Sequence, residues 1–246
     1  MIGLCEFRLN ALPTSGKLLC TFFLICMGIG YVFSQLNVFF TYNRADGEAG
    51  LSLQDIIVTF YGQPGVLLIE SKLKGAMREH LDNEYDRNSL INWAKRGARK
   101  EKFSEIKGII IKNCLRCHTA GGESSFAPFD KFSTVSDIFT RINYGVPVSR
   151  LITLSHIHMI SIGVIFALSG IIFLFTPINE KLKTALLIFP FGSLMLDIFS
   201  WWLTKLTPVF AITVLIGGVC TVVSFTIQFV ISLLTMWTSS RKSLLT

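Results

Sequence analysis

Charge and histidine are scarce in this chain. Asp, Glu, Lys and Arg make up 16% of its 246 residues, against 51% hydrophobic residues. That balance excludes a highly charged, solvated binding module. Only four histidines are present: His80, His118, His156 and His158. No second C-x-x-C exists, so a four-cysteine zinc ribbon lacks its ligands. The βαβ patterning of a thioredoxin-like redox pair is missing as well. No Gly-rich phosphate loop, internal repeat or low-complexity tract interrupts the sequence. Nor do the six cysteines form a disulfide framework. Cys20, Cys26 and Cys220 fall in apolar runs, where cysteine serves as a small hydrophobe, and Cys5 precedes the first run.

Long apolar runs, by contrast, are abundant. Four of them, about 18–40, 151–175, 184–203 and 207–237, reach the roughly 20 helical residues that cross a hydrocarbon core. None shows the polar face of a soluble amphipathic helix. A basic stretch precedes the first run, as in a signal peptide. The run is longer than a usual h-region, however, and no small-x-small site follows it closely, so it reads as a retained anchor. Leu19 before Cys20 also rules out a lipoprotein signal.

The net charge of +7 suggests nucleic acid only until its distribution is read. Arg8 and Lys17 precede span one, Lys181 and Lys183 separate spans two and three, and Arg241 and Lys242 follow span four. With alternating spans these all fall on one side, while the opposite short turn carries Lys205 alone. This positive-inside pattern puts both termini in the cytoplasm and residues 41–150 outside. The partner implied is a lipid bilayer, with no nucleic acid.

The outside segment contains Cys114-Leu115-Arg116-Cys117-His118, a C-x-x-C-H motif. Two thiols at this spacing can form thioethers to both vinyl groups of one porphyrin, and the adjacent imidazole supplies an axial nitrogen to iron. The motif therefore predicts one covalently bound haem c, with Cys114 and Cys117 as attachment points and His118 as proximal ligand. Helix periodicity places the cysteines in the last turns of a helix whose cap is Ser104 and whose inner face is Ile106, Ile109 and Ile110. Further short helices are expected at 55–61, 67–81, 84–98 (capped by Asp82 or Asn83) and around 135–142. Phe126 and Phe129 follow the Gly121-Gly122 break and are candidates to cover a haem edge.

The run Ile91-Asn92-Trp93-Ala94-Lys95-Arg96-Gly97-Ala98, followed by Ile106 to Cys114, resembles planctomycete-type cytochrome c domains. In that family a W-x-x-x-G-A segment precedes I-x-P-I-x-x-x-C-x-x-C-H. Gly108 stands where the family usually has proline. The resemblance covers about residues 84–130 and implies a membrane-anchored monohaem cytochrome c that moves electrons.

The sixth ligand is open on sequence. Ser155-His156-Ile157-His158-Met159 lies about two turns into the second span, a costly place for imidazole. His156 is the first candidate, with His158, Met159, Met77 and His80 as alternatives. No other span holds a histidine, which argues against a bis-histidine haem b between helices. Asp197, the one acidic residue within a span, falls at a depth similar to His158. It is expected to pair with His158 or His156, or else to bond the backbone, Ser200 or Trp201.

The expected fold is all-α, with four transmembrane helices and a small helical extracytoplasmic cytochrome c-like domain inserted between helices 1 and 2. Its divisions are 1–40, 41–150 and 151–246. The expected location is a bacterial inner membrane with the haem domain in the periplasm. The expected role is an electron carrier rather than an enzyme, serving a membrane redox complex or a soluble electron carrier. Two alternatives stand beside it: an accessory subunit of a respiratory or photosynthetic assembly, and a haem sensor with an open sixth site.

Overall fold

The computed structural model describes residues 8–125 and 127–238. Phe126, Arg241, Lys242 and Cys5 lie outside the described residues. The chain separates into two compact units, one formed by residues up to Asn37 together with Val148 onward, the other by Val38–Pro147.

The first unit is built on apolar helices. They are α1 (Thr14–Tyr42), α7 (Val148–Leu174), α8 (Glu180–Leu206) and α9 (Ala211–Trp237), each long and apolar enough to cross a membrane. Their ends follow local chemistry. Pro177 follows α7, and the Asn179 side chain caps α8 by accepting from Lys181 N–H at 3.0 Å. Pro208 ends α8 and opens a 3-10 turn, Pro208–Phe210, ahead of α9.

Small residues set the helix spacing. A Cβ on Gly217 would stand 2.7 Å from Asp197 Cα, so α8 and α9 meet backbone to backbone there. Its neighbour Gly218 faces open space. A Cβ on Gly28 of α1 would stand 3.1 Å from the Phe229 ring, and Tyr31 packs on Phe225 at 5.2 Å, which seats α1 on α9. Leu9, Leu24 and Met236 form a small buried cluster one turn before Gly28.

Polar side chains join the helices where a backbone group has lost its partner. Pro190 lies inside α8 and has no N–H to offer the Leu186 carbonyl four residues back. Gln228 of α9 fills that vacancy, donating to Leu186 O at 2.6 Å, while its amide oxygen accepts from Ser169 of α7 at 3.4 Å. Thr221 of α9 donates to Ser193 of α8 at 3.2 Å, one turn beyond the proline.

The second unit holds α2 (Leu53–Phe60), β1 (Gln63–Leu67), α3 (Leu68–Lys74), α4 (Glu84–Lys95), α5 (Phe103–Asn113), α6 (Phe132–Thr140) and β2 (Ile142–Asn143). The β1–β2 antiparallel pair departs from the all-α expectation. The anticipated helix at 67–81 is shorter than its periodicity suggests. Leu67 belongs to β1, and α3 stops at Gly75, where a side chain would collide with the Arg44 carbonyl. Asn83 is the α4 cap, accepting from Tyr85 N–H at 2.9 Å. Ser104, in contrast, caps nothing: a 3-10 turn at Lys100–Lys102 runs into α5, which already begins at Phe103.

The core of this unit is aromatic and branched-aliphatic. Leu90, Val135 and Phe139 are wholly buried, each stabilising by about 1.5–3 kcal/mol. Trp93 lies at its centre, 5.6 Å from Phe139 and 5.8 Å from Phe103. The Trp93-to-Ala98 segment is a helix stop. Gly97 and Ala98 both take positive φ, Ala98 N–H returns to Trp93 O at 3.1 Å, and the Trp93 indole donates to Arg99 O at 3.1 Å. Opposite, Glu70 takes ion pairs from Lys74 and Lys95, each at 2.8 Å.

Candidate functional site

Helix α5 delivers the C-x-x-C-H motif. Ile106 and Ile110 bury one face of α5 in the core, which fixes the direction in which the helix ends. The cysteines do not lie inside the helix as expected. Cys114 is its C-cap, with its N–H on Ile110 O at 2.8 Å, and Leu115 N–H closes on the same carbonyl at 3.1 Å. With Ile110 O doubly used, the regular ladder ends and a tight turn follows. Cys117 and His118 N–H both bond Cys114 O, at 3.2 and 2.9 Å. The motif's three chemical groups are thus held in one turn on a buried stem.

His118 is the best-defined of them. Its ring Nδ1 lies 2.9 Å from the Ala127 carbonyl. A carbonyl only accepts, so Nδ1 carries the proton and Nε2 is left with its lone pair bare. The ring also stacks on Phe129, centroids 4.4 Å apart and planes 5° from parallel, and Phe129 N–H donates to His118 O at 2.8 Å. Phe129 is buried and meets Phe139 edge-on, so the imidazole leans on the core. Gly122 allows the return loop to pass against Cys117 O, which accepts from Ser124 N–H at 3.0 Å.

Both cysteines are free thiols and partly buried. Cys114 packs against the core cluster, and burial pushes its thiol up to about 11. Cys117 lies outward, its sulfur 4.0 Å from Glu123 Oε2. Among the described residues, no three His, Cys, Asp or Glu side chains gather as a metal cage. A porphyrin brings four of the iron's ligands itself, and one imidazole with a bare nitrogen beside two thiols fits that demand.

The remaining candidates fall in different places. Met77 is half-buried and packs on the same core cluster as Cys114. His80 is exposed in the turn Arg78–His80. His156, His158 and Met159 belong to α7 in the other unit, with His156 exposed.

Asp197 does not bond either histidine. Its Oδ1 accepts from the Trp201 indole at 3.0 Å, an i,i+4 contact along α8 that needs no second helix. His158 turns its Nδ1 to Leu154 O at 2.8 Å and sets its ring edge-on to Trp201 at 5.2 Å. The Trp201 indole thus meets both the carboxylate and the imidazole. The Trp202 indole reaches across to Ser155 Oγ of α7, donating at 2.9 Å. Gln228 was missed on sequence, since nothing local links it to Pro190.

With α7, α8 and α9 assembled as a bundle, the comparison with known proteins falls on them. A family model described as a transmembrane helical domain (Aq_1264_TM) matches residues 133–243. The match and the four apolar helices fit a multi-pass membrane protein. It starts beyond His118, so the C-x-x-C-H turn lies outside the likeness. No curated protein and no solved structure matches the chain.

Proposed function

We propose that the chain is a membrane-bound c-type cytochrome that relays single electrons at the outer face of a bacterial inner membrane, as part of a larger redox complex. The observation that carries this reading is the Nδ1–Ala127 O bond of His118, 2.9 Å long, within the Cys114–His118 turn. That bond selects the tautomer with Nε2 free, as second-sphere carbonyls do for metal-ligating histidines. Cys114 and Cys117 would hold haem c as thioethers, and His118 would be its proximal ligand. Bound there, the haem supplies an iron that alternates between ferric and ferrous. Phe129 braces the imidazole, and the core behind Cys114 keeps water from one side of the turn.

For the sixth position, packing favours Met77 over His156, because Met77 shares the Cys114 core cluster. The positive-inside distribution of Arg8, Lys17, Lys181 and Lys183 supports cytoplasmic termini and a periplasmic haem domain.

The test is the full chain, produced with a haem-attachment system and purified in mild detergent. Haem should remain on the chain through a denaturing gel and show the pyridine haemochrome of haem c. Cys114→Ala with Cys117→Ala should lose it. A chain that carries no covalent haem overturns the reading. Met77→Leu should then turn low-spin haem high-spin, whereas His156→Leu should not.

A further inference from the structure

We propose that Asp197, Trp201 and His158 form a binding site for a membrane-soluble quinol, and that Asp197 takes its hydroxyl proton. The inference deepens the electron-transfer reading by naming the donor, and it rests on that reading for the electron acceptor.

Three membrane helices meet around Asp197 and its neighbour Trp201. Trp201, on its own helix, donates to Oδ1. Gly217 of α9 presses on the Asp197 backbone, a Cβ there being 2.7 Å from Cα and 2.8 Å from N, so α9 lies directly behind that residue. From α7, His158 sets its ring edge-on to the Trp201 indole at 5.2 Å. Counting along the helices, Asp197 is nine residues from the end of α8 and His158 ten from the start of α7, about 14–15 Å from those ends at 1.5 Å per residue.

The cluster is chemically unfinished. No Lys, Arg or His pairs with Asp197 among the described residues, so it is not half of a structural ion pair. One indole N–H meets only part of what a carboxylate accepts, and Oδ2 has no hydrogen-bond donor among the described residues. His158 spends Nδ1–H on Leu154 O, which leaves Nε2 as a bare acceptor. Asp197 and His158 are only partly buried, so both groups reach the surface of the bundle. Two spare acceptors beside an indole, in an apolar medium, select a ligand with several properties. It must dissolve in the bilayer, stack on aromatic faces and donate hydrogen bonds through hydroxyls. A hydroquinone has all three, and it also carries electrons.

The balance is simple. Oxidising one quinol to quinone breaks two O–H bonds and releases two protons and two electrons. The two electrons would pass one at a time to the single haem that Cys114, Cys117 and His118 would hold, which would supply the ferric acceptor in two successive turnovers. Each proton passes to the Asp197 carboxylate and leaves for the aqueous phase before the next. His158 accepts a hydrogen bond that orients the ring.

The experiment uses the haem-loaded full chain in mild detergent, with a short-chain benzoquinol and a short-chain naphthoquinol as probes. Initial rates of haem reduction are read alongside reduction by ascorbate. Asp197→Asn should slow reduction by the better quinol about 100-fold, the usual scale for losing a general base. Reduction by ascorbate should not change. His158→Gln, which cannot be mistaken for loss of the base, should raise KM for quinol more than it lowers kcat. An azidoquinone photolabel, displaced by unlabelled quinol, should map to α7 and α8. If Asp197→Asn folds and is reduced by both quinols within twofold of the wild-type rate, the proposal is overturned. It is equally overturned if no quinol-displaceable label falls on α7 or α8. Should Asp197→Asn not fold, His158→Gln and the photolabel decide. Absence of covalent haem would sink the cytochrome reading alone, since the photolabel still reports on the site.

Discussion

Replacing Gln228 with leucine tests how the membrane helices are joined. Gln228 Nε2 donates at 2.6 Å to the carbonyl of Leu186, which Pro190 leaves without its helical partner. Gln228 is 1% exposed, so no water takes over when the amide is removed. An orphaned buried carbonyl costs about 1–3 kcal/mol. Measured side-chain bonds between membrane helices average about 0.6 and reach about 1.7 kcal/mol. The two scales together put Gln228→Leu at about 1–2 kcal/mol of destabilisation. Pro190→Ala restores an N–H at the position that serves Leu186 O, and in that background Gln228→Leu should cost almost nothing. The coupling between the two changes should therefore be about 1 kcal/mol or more. The measurement is a double-mutant cycle, with unfolding in mixed micelles by added denaturing detergent followed by circular dichroism. If the two changes add to within about 0.5 kcal/mol, as independent sites do, then Gln228 is not the surrogate donor and the reasoning fails.

Two adjacent glycines should respond differently to the same added methyl. Gly217→Ala puts a Cβ against the Asp197 backbone and should cost about 1–3 kcal/mol by overpacking, while Gly218→Ala, facing open space, should be near neutral in the same unfolding assay. In the other unit, burial raises the Glu70 carboxyl, but hydrogen bonds from Lys74 and Lys95 outweigh it and hold the group below its ordinary value of 4.5. Its contribution is therefore full above 4.5 and is lost as pH falls through the lower folded value. Melting temperatures of the wild type should drop across that acid window more steeply than those of Glu70→Gln, and parallel curves would contradict the assignment.

The membrane helices were legible because length and continuous apolarity are enough to define them. Their ends moved by a few residues, to where Pro177 and Pro208 interrupt the backbone. In the insert, helix existence was readable from apolar spacing and from Asn83 as a cap. The β1–β2 pair was not: Gln63–Leu67 contains Pro64 and Gly65, and becomes a strand only by pairing with residues far along the chain. At the candidate site the residue types were readable, and the motif named Cys114, Cys117 and His118. What no local pattern shows is that Ile110 O takes two donors, which moves the cysteines out of α5 into a turn, or that Ala127 supplies the carbonyl for His118. The Asp197 partner was a choice between helices and neighbours, and the i,i+4 neighbour Trp201 won because it reaches the carboxylate without a second chain segment.

The strand pair also bears on how the second unit tolerates changes in length. β1 and β2, with Val146 N–H on Thr59 O at 2.7 Å and the close approach of Gly62 to Gly145, fasten the opening of the insert to its close. Everything between them is a ring with its own clasp. Material inside a clasped ring can lengthen, shorten or be exchanged while its two ends stay together. A change of length between β1 and β2 therefore need not move the two ends of the unit apart.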